Sequence, residues 1–291
     1  MQQSVALDGV SPLPAPLAAK RRWLPTRAAP WLAWGVLAVL ALAVVVPGWL
    51  APADPLDATA RLAYQAPNAA HWLGTDENGR DVLSRLIHGA RPSLLIGFAA
   101  TVLAVVIGTV LGLLAGLAPA RLDNLLMRGV DVLLAFPDLL LALVIITLFG
   151  QGTLNLILAV GIAAVPRYAR LVRAQTRIIR RAAFVEAAIT LGQSPLKVVV
   201  RHVLPNAVQP LLILATLGLG GAITAGAALS FLGFGAPPPA PEWGGMLAIG
   251  RSFLANAPWL VAWPALAITL TVISISAIGR DWLRRSEGKS S

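Results

Sequence analysis

Residues 92–120 read PSLLIGFAATVLAVVIGTVLGLLAGLAPA, 29 positions between Arg91 and Arg121 without a charge. A bilayer core needs about 20 apolar residues per helix and penalises every ionised group within it. The stretch therefore predicts a membrane span over 94–117. Four more charge-free gaps lie outward from it, between Arg27 and Asp54, Asp138 and Arg167, Arg201 and Glu242, and Arg251 and Arg280. The second of these is divided by the turn signal Gly150-Gln151-Gly152, and its apolar pattern extends upstream through 130–134. Six spans result, near 31–50, 94–117, 130–149, 154–168, 207–231 and 259–279. The expected fold class is an all-α membrane protein with six transmembrane helices. Composition agrees: of 291 residues 57% are hydrophobic and 12% charged, about half the charge a soluble surface carries. A soluble enzyme is excluded on that ground. The absence of cysteine removes thiolate metal sites, disulfides and cysteine nucleophiles together.

Lys and Arg set the orientation, since the side rich in them stays cytoplasmic. With the amino terminus inside, cytoplasmic segments hold 18 of the 23 basic residues. Outside remain Arg61, Arg80, Arg85, Arg91 and Arg251, balanced by Asp54, Asp57, Asp76, Glu77, Asp81 and Glu242. Both termini are expected in the cytoplasm, and the net charge of +10 reads as topology, not nucleic-acid binding. Trp31, Trp34, Trp49, Trp259, Trp263 and Trp282 bracket the first and last spans, where indoles prefer the interface. The Pro-rich tail, 1–30, has too few large apolar residues to fold and is expected to be disordered. A cleavable leader ending at Ala51-Pro52-Ala53 fits poorly, because the apolar core exceeds the usual 7 to 15 residues.

The segment 51–93 forms an outer, periplasmic loop. Within it His71-Trp-Leu-Gly-Thr-Asp-Glu-Asn-Gly-Arg-Asp81 precedes Val82, Leu83, Leu86 and Ile87 at helical spacing. This predicts an amphipathic helix capped by Thr75 or Asp76, lying on the membrane surface or on neighbouring helices. His71 and His88 suggest no third ligand, so no metal site is expected. Gly108, Gly112 and Gly116 recur every fourth residue, as do Gly218, Ala222, Gly226 and Ser230. Such stripes let backbones approach, either within the chain or against a partner. Pro137, Pro166, Pro205, Pro210 and Pro264 lie in or beside spans and can bend them. Asp131 and Asp138, seven apart, share a face of the third span; they could line a polar path or a proton site, or simply sit at the interface and pair with a neighbour.

The connection 167–205 is longer than two adjacent spans need. Arg167, Arg170, Arg173, Arg177 and Arg180 form a basic stripe, which anionic headgroups alone would explain at about 1 kcal/mol per residue. Beyond it lies EAAITLGQSPLKVVVRHVLP, residues 186–205. Its pattern gives a short helix, a Gly turn and a second short helix.

That segment resembles the EAA loop of binding-protein-dependent ABC importer permeases: EAA at Glu186, Ala187 and Ala188, three residues, Gly192, nine residues, an Ile position held here by His202, one residue, then Leu204-Pro205. HWLGTDENGRDVLSRLIHGAR, DVLLAFP, ALSFLGFG, PEWGGML and PWLVAWPALAITLTV are similar to the oligopeptide, dipeptide and nickel branch, specifically its second permease subunit. Trp72 stands where that branch usually has Pro. The resemblance implies a type I importer permease of MetI-like fold in the bacterial cytoplasmic (inner) membrane, with core 94–285 and a cytoplasmic tail, 286–291. It implies a related partner permease, two ATP-binding cassettes that hold ATP and Mg, an external substrate-binding protein, and no cofactor or catalytic residue in this chain. Gly288-Lys289-Ser290 mimics the end of a P-loop, but Leu283 stands where its first Gly must be. The expected function is non-catalytic import of a peptide-like solute: a dipeptide, an oligopeptide, glutathione or a metal chelate. A carrier working alone through Asp131 and Asp138 would be expected to show an internal repeat, and none is convincing here; a purely structural subunit would leave the long coupling loop without a task.

Overall fold

The computed structural model describes residues 29–286, with side chains from 31 to 284. The expected tails therefore lie largely outside the described residues, as does the P-loop-like triplet. Helix α1 (Ala29–Val45) is apolar throughout and stops before Pro47, which opens the single turn α2 (Pro47–Leu50). Helix α3 (Val82–Leu117) follows the outer loop and runs 36 residues, about 54 Å at 1.5 Å per residue. Helices α4 (Ala120–Leu134) and α5 (Asp138–Phe149) meet at 93°. Then come α6 (Thr153–Ile179), the short pair α7 (Ala183–Thr190) and α8 (Pro195–Val198), α9 (Leu204–Leu229), α10 (Trp243–Gly250) and α11 (Trp259–Ser286). A wide turn at Val199–Val203 joins α8 to α9 without a break, and another at Ser230–Phe234 ends α9. Four spans long and apolar enough to cross a membrane, the bent pair, and the shorter apolar helix Trp31–Val45 account for the six expected segments.

Three expectations are corrected. The outer-loop helix does not lie apart on a surface; it is the first part of α3 and continues through Pro92 into the second span. Its cap is Asp81, whose Oδ2 accepts from the Ser84 backbone N–H at 2.8 Å, whereas Thr75 and Asp76 stabilise the turn before it. The third span is not continuous over 130–149. Pro137 lacks a backbone donor and disfavours helical geometry at Phe136, so the chain turns there and α5 restarts behind it.

The glycine stripes are internal contacts. A Cβ on Gly108, Gly112 or Gly116 would come within 2.6 Å of Tyr168, Ala169 or Thr176 on α6. One on Gly226 would come within 2.7 Å of Ile96 on α3, and one on Gly218 would strike the Tyr168 hydroxyl. The interior where α3, α5, α6 and α9 meet is built from Ile96, Ala100, Ala142, Ile146, Leu156 and Ala159.

The segment 51–93 is tied to the later part of the chain. Asp76, Arg80, Asp81 and Arg85 are each at most 5% exposed. Arg80 Nε binds Asp76 Oδ2 at 2.6 Å, and Arg85 Nε reaches the same oxygen at 3.2 Å. Arg85 Nη1 also donates to Pro55 O at 3.1 Å and Pro239 O at 3.3 Å, while the Trp259 indole donates to Thr75 O at 3.1 Å. Helix α10, which the sequence reading does not separate, is capped by buried Glu242; its carboxylate accepts from Gly244 and Gly245 N–H groups at 2.8 and 2.9 Å and from Ser93 Oγ at 3.2 Å.

Candidate functional site

Small side chains hollow the middle of the bundle. Between α3, α5, α6 and α9 they leave an open cavity of about 320 Å³, floored by residues such as Ala100, Ala142, Ala163, Gly218 and Ala222. That volume falls within the range of small-molecule sites. Five lining residues carry side-chain polar groups: Thr101, Asp138, Arg167, Tyr168 and Thr224. Both threonine hydroxyls donate to carbonyls of their own helices, Gly97 O at 2.8 Å and Gly220 O at 2.9 Å. Asp138 and Arg167 are ion-paired, each side chain 52% exposed. Tyr168 is 2% exposed, yet among the described residues its hydroxyl has no hydrogen-bond partner.

The pair at the cavity is the first rung of a ladder down α6. Arg170 Nη2 lies 2.5 Å from Asp131 Oδ1. Arg173 grips Asp123 with Nε to Oδ1 at 2.5 Å and Nη2 to Oδ2 at 2.8 Å, and Arg177 binds the same carboxylate. Arg180 donates to Gly116 O at 3.0 Å, covering a free carbonyl in the last turn of α3. The basic stripe expected to meet lipid headgroups is thus matched by carboxylates of the α4–α5 elbow, because the elbow lies along that face of α6. Asp131 and Asp138 are brought onto one ladder, but only Asp138 lines the cavity. Asp123, with its side chain 0% exposed, is a member the sequence reading misses. Its signal was present: acids at 123, 131 and 138 keep a two-turn spacing that faces the arginine repeat.

At the end of α6 the chain forms the EAA segment on a small core of its own. Val185, Ala188, Val198 and Val203 are buried together, with Leu113 and Ile179 packed against them. Glu186 and Ala187 point outward. Gly192 has φ +76°, and a built Cβ would meet nothing within 4 Å, so glycine is required here by backbone conformation and not by a close neighbour within the chain. The Gly192 N–H donates to Ile189 O at 2.9 Å and the Gln193 N–H to Ala188 O at 3.2 Å, which closes α7. His202 Nε2 lies 3.2 Å from Gln193 Oε1, tying the end of the segment to its turn. Leu204 and Pro205 begin α9. Ala188 packs inward, into that small core. The large apolar side chains that project are Phe184, Ile189, Leu191, Leu196 and Val200, with Leu191 and Leu196 the most open at 81% and 74% exposed. Sequence spacing alone did not mark them.

Residues 108–287 match the family of binding-protein-dependent transport system inner membrane components. The chain is 44% identical over 220 residues to the dipeptide transport system permease protein DppC of Alkalihalophilus pseudofirmus, covering 76% of this chain and 72% of that protein. It is 44% identical over 242 residues to the di/tripeptide transport system permease protein DppC of Pseudomonas aeruginosa, covering 81% and 80%. It is 39% identical over 257 residues to the glutathione transport system permease protein GsiD of Pectobacterium atrosepticum, covering 87% and 84%. In backbone it is similar to an inward-facing form of the MetNI methionine ABC transporter, with a TM-score of 0.57 at 20% identity over 69% of this chain and 95% of that one. An amino acid ABC transporter solved with histidines gives a TM-score of 0.53 at 19% identity, covering 69% and 94%.

Proposed function

Because the chain belongs to the family of binding-protein-dependent transport system inner membrane components, we propose that it forms half of a translocation path for a peptide-like solute in an ATP-driven importer. A second permease completes the path, an external binding protein delivers the solute, and two ATP-binding cassettes hold ATP and Mg and drive the movement. Both termini and the segment 167–205 face the cytoplasm in this reading, and the loop 51–93 faces outward. The solute class comes from the relatives, whose names specify dipeptides, di/tripeptides and glutathione.

The observation that carries the reading is the EAA segment. Leu191 and Leu196 project from a loop whose buried core touches the end of α6, and α6 and α9 are also walls of the cavity. A cassette holding those apolar side chains has a rigid route to the cavity walls, so its closure moves them as bodies. The residues assigned to coupling are Glu186, Ala187, Leu191 and Leu196 at the surface, with Ala188, Gly192, Leu204 and Pro205 shaping the loop. The test is Leu191→Asp. Membrane-resident permease should be unchanged, cassette co-purification should fall about tenfold or more, as for loss of a buried apolar anchor, and uptake should fall with it. Normal assembly and uptake in that variant would remove the assignment.

A further inference from the structure

We propose that Asp138, Arg167 and the unpartnered hydroxyl of Tyr168 form a contact site in the path for a zwitterionic solute, with Asp138 receiving its ammonium, Arg167 its carboxylate and Tyr168 donating to a carbonyl between them. The site rests on the peptide-like reading above and specifies the chemistry by which the path holds such a solute.

The ladder supplies the contrast. Its pairs are alike in chemistry but differ in surroundings: Asp123 is buried under two arginines, Asp131 is half exposed and does not line this cavity, and Asp138 opens onto the cavity together with its arginine. A half-exposed pair can turn toward a second partner without first being dug out of a core. Beside it lies the Tyr168 hydroxyl, on a residue 2% exposed, lining the cavity and lacking any partner among the described residues. Unlike a polar atom sealed in the core, a donor open to a cavity can be satisfied by what enters. Position 218 keeps that hydroxyl in place, since a Cβ there would occupy its position.

Charge balance selects the class of solute. When a zwitterion enters between Asp138 and Arg167, each of the four charges keeps an opposite neighbour. A solute with one net charge would leave either the carboxylate or the guanidinium of this half-exposed pair without an opposite neighbour, at the loss of one charge-assisted contact.

The experiment reconstitutes the transporter with its cassettes, second permease and binding protein in proteoliposomes and measures uptake of labelled L-alanyl-L-alanine and ATP turnover together. Tyr168→Phe keeps the ring over Gly218 and removes only the hydroxyl. Maximal uptake should fall about fivefold, the size of one neutral hydrogen bond, with fewer solutes moved per ATP. Asp138→Asn should lower maximal uptake by about tenfold or more, as for a charge-assisted contact. Asp131→Asn, which breaks a similarly exposed pair away from the cavity, should stay within about twofold of the parent. Uptake by Tyr168→Phe at the parent rate overturns the site, as does an Asp131→Asn loss equal to that of Asp138→Asn, which would make both pairs structural. If the parent transporter takes up no L-alanyl-L-alanine, the peptide reading falls and the site falls with it; parent uptake with unaltered variants overturns the site alone.

Discussion

Ala187 and Ala188 are neighbours in sequence and opposites in environment, the first exposed and the second 4% exposed among Val185, Val198 and Val203. Leu at 188 would overfill that core and should cost about 1 to 3 kcal/mol of local stability. The expected readout is faster tryptic cleavage around Arg181 and Lys197, with Ala187→Leu cleaved at the parent rate. Equal cleavage of the two variants would mean that the loop core is not closed. Gly192→Ala meets no neighbour but must hold φ +76°, so it should lose about 1 kcal/mol through the backbone alone. The EAA spacing marked all three positions, yet it could not say which alanine faces inward. A helix eight residues long has no face of its own until something packs on it, and here the packing comes from 198 and 203, on the far side of the turn.

Charge gaps located the spans because lipid tolerates few ions, and that signal is local. What was illegible at the level of elements depends on partners far along the chain. Arg85 was placed in the loop 51–93 ahead of the span, but its charge is held by Asp76 and by carbonyls of 55 and 239, which lets α3 begin before it and continue through it. Pro137 marked a possible bend, but the apolar runs to either side of Phe136-Pro137-Asp138 read as one span, so the size of the bend, 93°, was not legible. The ladder joins residues 29 to 54 apart and fixes that elbow against α6. Its rungs should differ in weight. Asp123→Asn leaves Arg173 and Arg177 facing a neutral group in a largely buried place and should cost about 2 kcal/mol in mixed-micelle unfolding. Asp131→Asn, half exposed, should cost under about 1 kcal/mol. The reverse order would show that the elbow is held by its apolar contacts and not by charge.

For the molecule as a whole, orientation can be tested directly because the chain has no native thiol. Ala69 is an exposed position in the outer loop whose replacement disturbs no side-chain hydrogen bond, whereas Asn68 caps its own turn through Oδ1. Cysteine at 69 should react with impermeant maleimide in intact cells, and cysteine at 197 only after the membrane is opened; the opposite pattern would invert the proposed topology. The tie between the segment 51–93 and the later part of the chain also bears on how such a molecule is born. A ribosome delivers Thr75 long before Trp259, 184 positions later, and Arg85 long before Pro239, 154 positions later. Until those partners emerge, a guanidinium and a carboxylate cluster destined for burial stand unfinished. This end of the bundle is therefore the last part of the nascent chain to mature, and a messenger truncated before α10 should yield a product that proteases recognise there, at Asp76 to Arg85, however well its first spans have inserted.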